Sequence, residues 1–304
     1  MRTDSLNRTR GALLGLAVGD AVGTVAEFRP RGSFPDVTDM VGGGPFRLKP
    51  GEFTDDTSMA LCLGASLVAK GFDLRDQMGR YVDWAHNGYM SSNGRCFDIG
   101  IATRGALQRF LETDDPIAGS NDPNSAGNGC IMRLAPVPIR YLRDAKQAVA
   151  YAGEQSRATH GAVECVAASR LFGEILVRAL NGADKMAVLA PPVHALDLPP
   201  KLQSIAAGAY QFKDRDRVFG SGYVVDSLEA SLWCFYQTDN FRDAVLLATN
   251  LGDDADTTAA ITGQLAGAFY GEEGIPEVWR KQLVMADMIG KMAEDLLAAG
   301  ESRQ

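Results

Sequence analysis

The sequence is poor in the residues and patterns that announce common chemistries. Its five cysteines, Cys62, Cys96, Cys130, Cys165 and Cys234, are scattered and odd in number, with no CxxC. That excludes a disulfide framework, and the cysteines read as small buried apolar residues of a protein in a reducing cytoplasm. Histidine is scarcer still: His86, His160 and His194 are the only three. No GxSxG, P-loop or GxGxxG occurs, so serine-hydrolase, kinase-type and dinucleotide-binding chemistries have no support. Positive charge is in deficit. A net charge of −8 disfavours a nucleic-acid surface and is compatible with divalent cations. No run reaches the roughly 18 to 20 uncharged residues of a membrane span. The opening "MRTDSLNRTRGALLGLAVGDAVG" mimics a signal peptide, but Asp20 interrupts its apolar stretch.

What remains is a globular composition, 46% hydrophobic and 22% charged, dominated by helical spacing. Leu107, Phe110 and Leu111 form one stripe, and Ile289, Met292 and Leu296 another. "VECVAASRLFGEILVRALNG" reads as a long buried helix stopped by Asn181-Gly182. Pro276 is placed to be the first residue of a further helix. Strict alternation is rare and no βαβ rhythm appears, which predicts an all-α fold of about a dozen helices in one domain, residues 1–304. Loops rich in Gly, Pro and Asn are expected at about 30–51, 113–129 and 184–200.

Two segments carry glycine every fourth residue: Gly11, Gly15, Gly19 and Gly23, then Gly263, Gly267 and Gly271. Each glycine inside a helix costs roughly 0.8–1 kcal/mol relative to alanine. Residues four apart share one helix face, so these smooth ridges predict two helices crossing in close contact at the centre.

"GEFTDDTSMALCLG" and "NLGDDADTTAAITG" raise a different question. Each stacks carboxylates and hydroxyls at a helix start: Thr54, Asp55, Asp56 and Thr57 in one, Asp253, Asp254, Asp256, Thr257 and Thr258 in the other. A helix cap needs one side-chain oxygen, and acids in a first turn are favourable by roughly 0.3–1 kcal/mol each. N-capping is one reading. The surplus supports the other, a hard divalent cation relieving the repulsion between packed carboxylates. Oxygen donors without Cys or clustered His select Mg²⁺ or Mn²⁺ over Zn²⁺. Asp20 and Glu27, seven residues apart, can approach the same centre. "NSAGNGCIMR" reads first as an ordinary Asn-Gly turn, with an anion-binding nest of backbone N–H groups as the alternative.

Together, "GLAVGDAVGTVAEF", "GEFTDDTSMAL", "GNGCIMRLAPV" and "NLGDDADTTAAITGQLAGAFYG" resemble the ADP-ribosylglycohydrolase family, in the family's order and across residues 11 to 271. The resemblance implies a compact single-domain orthogonal helix bundle with a central dinuclear cleft holding two Mg²⁺ or Mn²⁺ ions. It implies Thr54, Asp55, Asp56, Asp254, Asp256 and Thr257 as metal ligands, and Glu27, Asp55 and Asp56 as the catalytic carboxylates. Thr57 and Asp253 fall outside that ligand pattern, as cap and orienting group; Asp20 is expected to be a buried structural partner. For the substrate, it implicates Ser125, Gly127, Asn128, Gly129, Met132 and Arg133 around a diphosphate. His160 would lie near the phosphates, with Asp98 and Gly100 lining the cleft, although Asp98 also suits an N-cap of the following helix. Ala126 stands where family members often carry an aromatic. His86 and His194 are read as structural. The implied activity is hydrolysis of the bond between ADP-ribose and a protein side chain, with arginine favoured. Serine-linked and O-acetyl ADP-ribose, or binding without cleavage, are the alternatives.

Overall fold

The computed structural model describes residues 2–191 and 196–301; His194 lies outside them. Fifteen α-helices follow in order among the described residues. They are α1 (Arg2–Gly23), α2 (Asp55–Lys70), α3 (Leu74–Asn87), α4 (Ile101–Thr113), α5 (Gly129–Met132), α6 (Pro136–Arg140), α7 (Ala145–Arg157) and α8 (Val163–Leu180). The rest are α9 (Lys185–Val188), α10 (Pro200–Ala206), α11 (Val224–Gln237), α12 (Phe241–Thr249), α13 (Ala255–Tyr270), α14 (Glu277–Gln282) and α15 (Ala286–Glu301). No strand is present among those residues, only isolated bridges such as Arg29 with Asp253. Nor is any of these helices long and apolar enough to cross a membrane. The all-α expectation holds; the extra helices are the short α5, α6, α9 and α14, too brief to show a 3.6-residue period.

The two glycine ridges meet. α1 and α13 pack more intimately than any other helix pair. A Cβ added at Gly11, Gly15 or Gly19 would collide with the carbonyl oxygens of Gly267, Gly263 and Ala259 respectively, and one at Gly23 with the backbone of Asp256. Backbones this close exclude even a methyl group, which explains glycine at a helical cost. Gly271 lies in the turn after α13, at φ 77°, and its backbone still packs against Gly11. Both helices are buried along nearly their whole inner length, as their small apolar residues allow. One continuous apolar core surrounds them, from Leu13 and Leu16 through Phe172 and Leu228 to Ile289 and Leu296.

Three local expectations need correction. Leu111 is exposed, so the α4 stripe buries Leu107 and only part of Phe110. Pro276 sits at the N-cap and α14 begins at Glu277; with φ −50° and ψ 127° the proline is still extended. The stretch at 184–200 is not all loop, because Asp184 caps α9 by accepting from the Ala187 N–H.

Candidate metal and ligand site

The starts of α2 and α13 face each other across the end of α1, where the glycine ridge finishes. Thr54 occupies the N-cap position of α2 but does not cap it. The cap comes from another helix. Asp20 Oδ1 accepts from Thr54 N at 2.8 Å and Thr54 Oγ1 at 2.9 Å, and Oδ2 from Thr57 N at 3.0 Å and Thr57 Oγ1 at 2.6 Å. Asp20 is therefore the structural partner its burial demands, with both oxygens occupied, and Thr57 serves the cap as a donor to Asp20.

With capping handled by Asp20, the oxygens of the acidic starts are surplus to the helix. Thr54 Oγ1 lies 2.9 Å from Asp20 Oδ1, 3.0 Å from Asp56 Oδ2 and 3.2 Å from Asp256 Oδ2. One hydroxyl has one proton, so it cannot donate to three carboxylates. Asp56 Oδ1 is buried and has no hydrogen-bond partner among the described residues. Asp256 Oδ1 accepts from Thr257 N at 2.7 Å, and Glu27 Oε2 from Asp256 N at 3.4 Å. One oxygen each from Asp20, Asp56 and Asp256 lies within 4.8 Å of the other two, as do those of Glu27, Asp98 and Asp256.

This crowding raises the carboxyl pKa values. Burial, then the charge of Asp256, pushes Asp20 and Asp254 up to about 7. Burial and the same neighbour drive Glu27 far above the carboxylate range, and Asp55 likewise. Asp56 is raised by burial and by Asp20. Asp98 reaches about 11 through burial and Asp55. Without a counter-charge these acids cannot all ionise together.

Above them opens a cleft of about 740 Å³. Its walls include Glu27, Asp55, Asp98, Gly100, Gly127, Asn128, Gly129, Met132, His160, Asp254, Asp256 and Thr257. Thr54 and Asp56 lie beneath it, both buried. Asp98 is not a helix cap, since Gly100 takes the N-cap of α4; it sits at φ 60° and faces Glu27 and Asp256. Asn128 ties the glycine-rich loop to the acids, donating to Asp254 Oδ2 at 2.6 Å and to Ser227 Oγ at 3.2 Å.

Two implied substrate contacts are placed elsewhere. Ser125 belongs to a neighbouring hollow, and its hydroxyl donates to Asp122 O at 2.7 Å. Arg133 is fully buried behind the loop, donating to Gly129 O, Gln155 Oε1, Gln155 O and Thr159 Oγ1, with its guanidinium over the Tyr81 ring. One helical turn beyond Gly129, its side chain points inward, not to the cleft. Sequence reasoning missed Phe28 and Ile101, exposed at the mouth, and Thr103, Ser221 and Gly222 in the wall. The glycines of "FGSGY" were a usable signal: Asn128 N donates to Gly222 O at 3.1 Å and Asp254 N to Gly220 O at 2.9 Å.

An all-helical fold with two acidic helix starts under one cleft agrees with the architecture that the family resemblance implies. The family model described as ADP-ribosylglycohydrolase matches residues 1–304, and the chain belongs to that family. Its relatives narrow the comparison. It is 48% identical over 295 residues to "ADP-ribosylarginine hydrolase Tri1" of Serratia proteamaculans, covering 97% of this chain and 80% of that one. It is 33% identical to "ADP-ribosyl-[dinitrogen reductase] glycohydrolase" of Rhodospirillum rubrum, over 92% of this chain and 91% of that one. A solved structure titled "ADP-ribosylglycohydrolase-related protein complex" superposes with a TM-score of 0.88 at 42% identity, covering 98% and 99%.

Proposed function

We propose that this chain is a metal-dependent hydrolase that cleaves the bond between ADP-ribose and arginine side chains of modified proteins. Family membership supports glycosidic hydrolysis, and the relative at 48% identity, named for ADP-ribosylarginine, favours arginine over serine or acetyl linkages. The observation that carries the metal is the oxygen excess: one Thr54 hydroxyl proton among three carboxylates, with Asp56 Oδ1 buried and orphaned. A cation satisfies those oxygens where no protein donor does.

Thr54, Asp55 and Asp56 from α2, with Asp254, Asp256 and Thr257 from α13, would hold two Mg²⁺ or Mn²⁺ ions. Bound there, the ions would let the carboxylates ionise, grip ribose hydroxyls and make a water more acidic. The chain's own groups do the rest. Asp55 lines the cleft and Asp56 does not, so Asp55 is the carboxylate able to take a proton from the attacking water. Glu27, between Asp256 and Asp98 in the same wall, is placed at the ribose to give a proton to the leaving nitrogen. Backbone N–H groups and the side chain of His160 orient the diphosphate end, while Asn128 holds the loop against Asp254, so the anomeric carbon is presented to the acids as its bond breaks. Five free cysteines support a reducing cytoplasm as the site of action.

The test is incubation with arginine-, serine- and acetyl-linked ADP-ribose, each with Mg²⁺, Mn²⁺ or EDTA. Free ADP-ribose is expected from the arginine conjugate with metal and not with EDTA. Release from none of the three would leave binding without cleavage; release undiminished by EDTA would remove the metal.

A further inference from the structure

His160 has a neighbour arrangement that fixes more than its position. Its Nδ1 lies 2.8 Å from Thr159 Oγ1, and Arg133 Nη2 donates to the same oxygen, also at 2.8 Å. A guanidinium has donors only, so Thr159 Oγ1 must accept from it. The threonine proton then has one place to go. No other acceptor bonds that hydroxyl among the described residues, and Thr159 is fully buried. If Nδ1 carried a proton, it and the arginine would both donate to Oγ1, and the buried threonine proton would have no partner. The arrangement is satisfied when Thr159 donates to Nδ1.

We propose that Arg133 and Thr159 are positioning residues that hold His160 as a neutral imidazole with its proton on Nε2, aimed at the diphosphate of the substrate. Nε2 bonds no group of the protein among the described residues, and His160 forms part of the cleft wall. It lies beside the glycine-rich loop: a Cβ at Gly127 would come within 3.3 Å of Nε2, and one at Gly129 within 3.1 Å. Glycine at those positions keeps the space around that nitrogen open. Burial and the Arg133 charge both push the imidazole down, to about 3, so it is a donor without being a cation. The arginine that the family resemblance implicates at the diphosphate thus reaches it through two other side chains. The charged group that faces His160 is the Arg133 guanidinium behind it, through Thr159.

The diphosphate assignment rests on the proposed function; the hydrogen-bond chain that fixes the tautomer does not. The experiment separates them. Long-range ¹H–¹⁵N spectra of histidine-labelled protein read the tautomer directly, and with three histidines the assignment is tractable. Wild type and Thr159→Ser are expected to show His160 protonated on Nε2 alone, unchanged between pH 5 and 8. Thr159→Val is expected to populate the other tautomer and to weaken ADP-ribose binding, measured with Mg²⁺ present, about three- to tenfold, the range of one hydrogen bond. A wild-type His160 that carries its proton on Nδ1, or titrates near neutral pH, overturns the proposal even if the valine variant does not fold. An Nε2–H signal without ADP-ribose binding overturns the diphosphate assignment and the functional reading, with the tautomer upheld.

Discussion

Thr54 is surrounded by more carboxylates than its proton can serve, and the residues around it carry two testable consequences. Asp254→Asn removes a proposed ligand while keeping an acceptor for Asn128. Because losing even an outer partner of a metal site costs 10–100-fold, roughly 100-fold or more in metal affinity and turnover is expected, read by Mn²⁺ titration calorimetry. The second concerns pH. Asp20, Glu27, Asp55, Asp56, Asp98 and Asp254 all have raised pKa values in the fold. A raised group favours the protonated native state, so its stabilising contribution is complete below the unfolded value of about 4 and is lost as pH rises. For Asp20 and Asp254 that loss runs through about pH 7. His160, held low, works in the opposite sense, but it is one group against six. EDTA-treated protein should therefore melt at a lower temperature at pH 8 than at pH 5, and Mg²⁺ should recover more at pH 8. A metal-free melting point that rises with pH would contradict the crowded-acid picture. Arg133→Ala makes a contrasting case: it withdraws the donor from four buried acceptors, of which Gln155 O and Thr159 Oγ1 keep another partner, and should cost about 3 kcal/mol in urea unfolding. The surplus of oxygens was legible in the sequence because a cap uses only one. Asp20's role was less so, since a cap supplied from another helix leaves no local spacing to read.

At the level of elements, the glycine spacing was the clearest long-range message in the sequence. Period four means one face, and two such faces with little else to bury find each other. Gly15→Ala should separate α1 from α13 and destabilise the protein by about 3 kcal/mol, since the obstacle is backbone and cannot swing away. Gly79→Ala, in the interior of α3 with nothing within 4 Å of the added methyl, should instead stabilise by about 0.5–1 kcal/mol. Equal effects from the two, compared by chemical denaturation, would refute the close-approach reading. The short helices α5, α6, α9 and α14 were invisible for the opposite reason: they span four to six residues each, and packing rather than periodicity makes them helical. The wall contributed by Ser221 and Gly222 was missed because its role is carried by backbone carbonyls at 220 and 222, for which the two glycines of "FGSGY" are the only sequence trace.

For the molecule as a whole, the acid centre is a three-way junction of segments near residues 20, 55 and 255. Metal that binds there should protect all three at once. Saturating Mg²⁺ at about 100 times its Kd should add roughly 2.7 kcal/mol to stability. Hydrogen exchange should slow together at the starts of α2 and α13; slowing at only one would mean that the two starts do not share ions. The glycine contact between α1 and α13 also has a consequence for how the protein is made. Helix α1 leaves the ribosome with a face that fits nothing until residue 271 has followed, about 12 to 50 s later at 5–20 residues per second. Through that interval the nascent chain holds neither its central pair nor its acid centre, and a product released before α13 emerges can assemble neither.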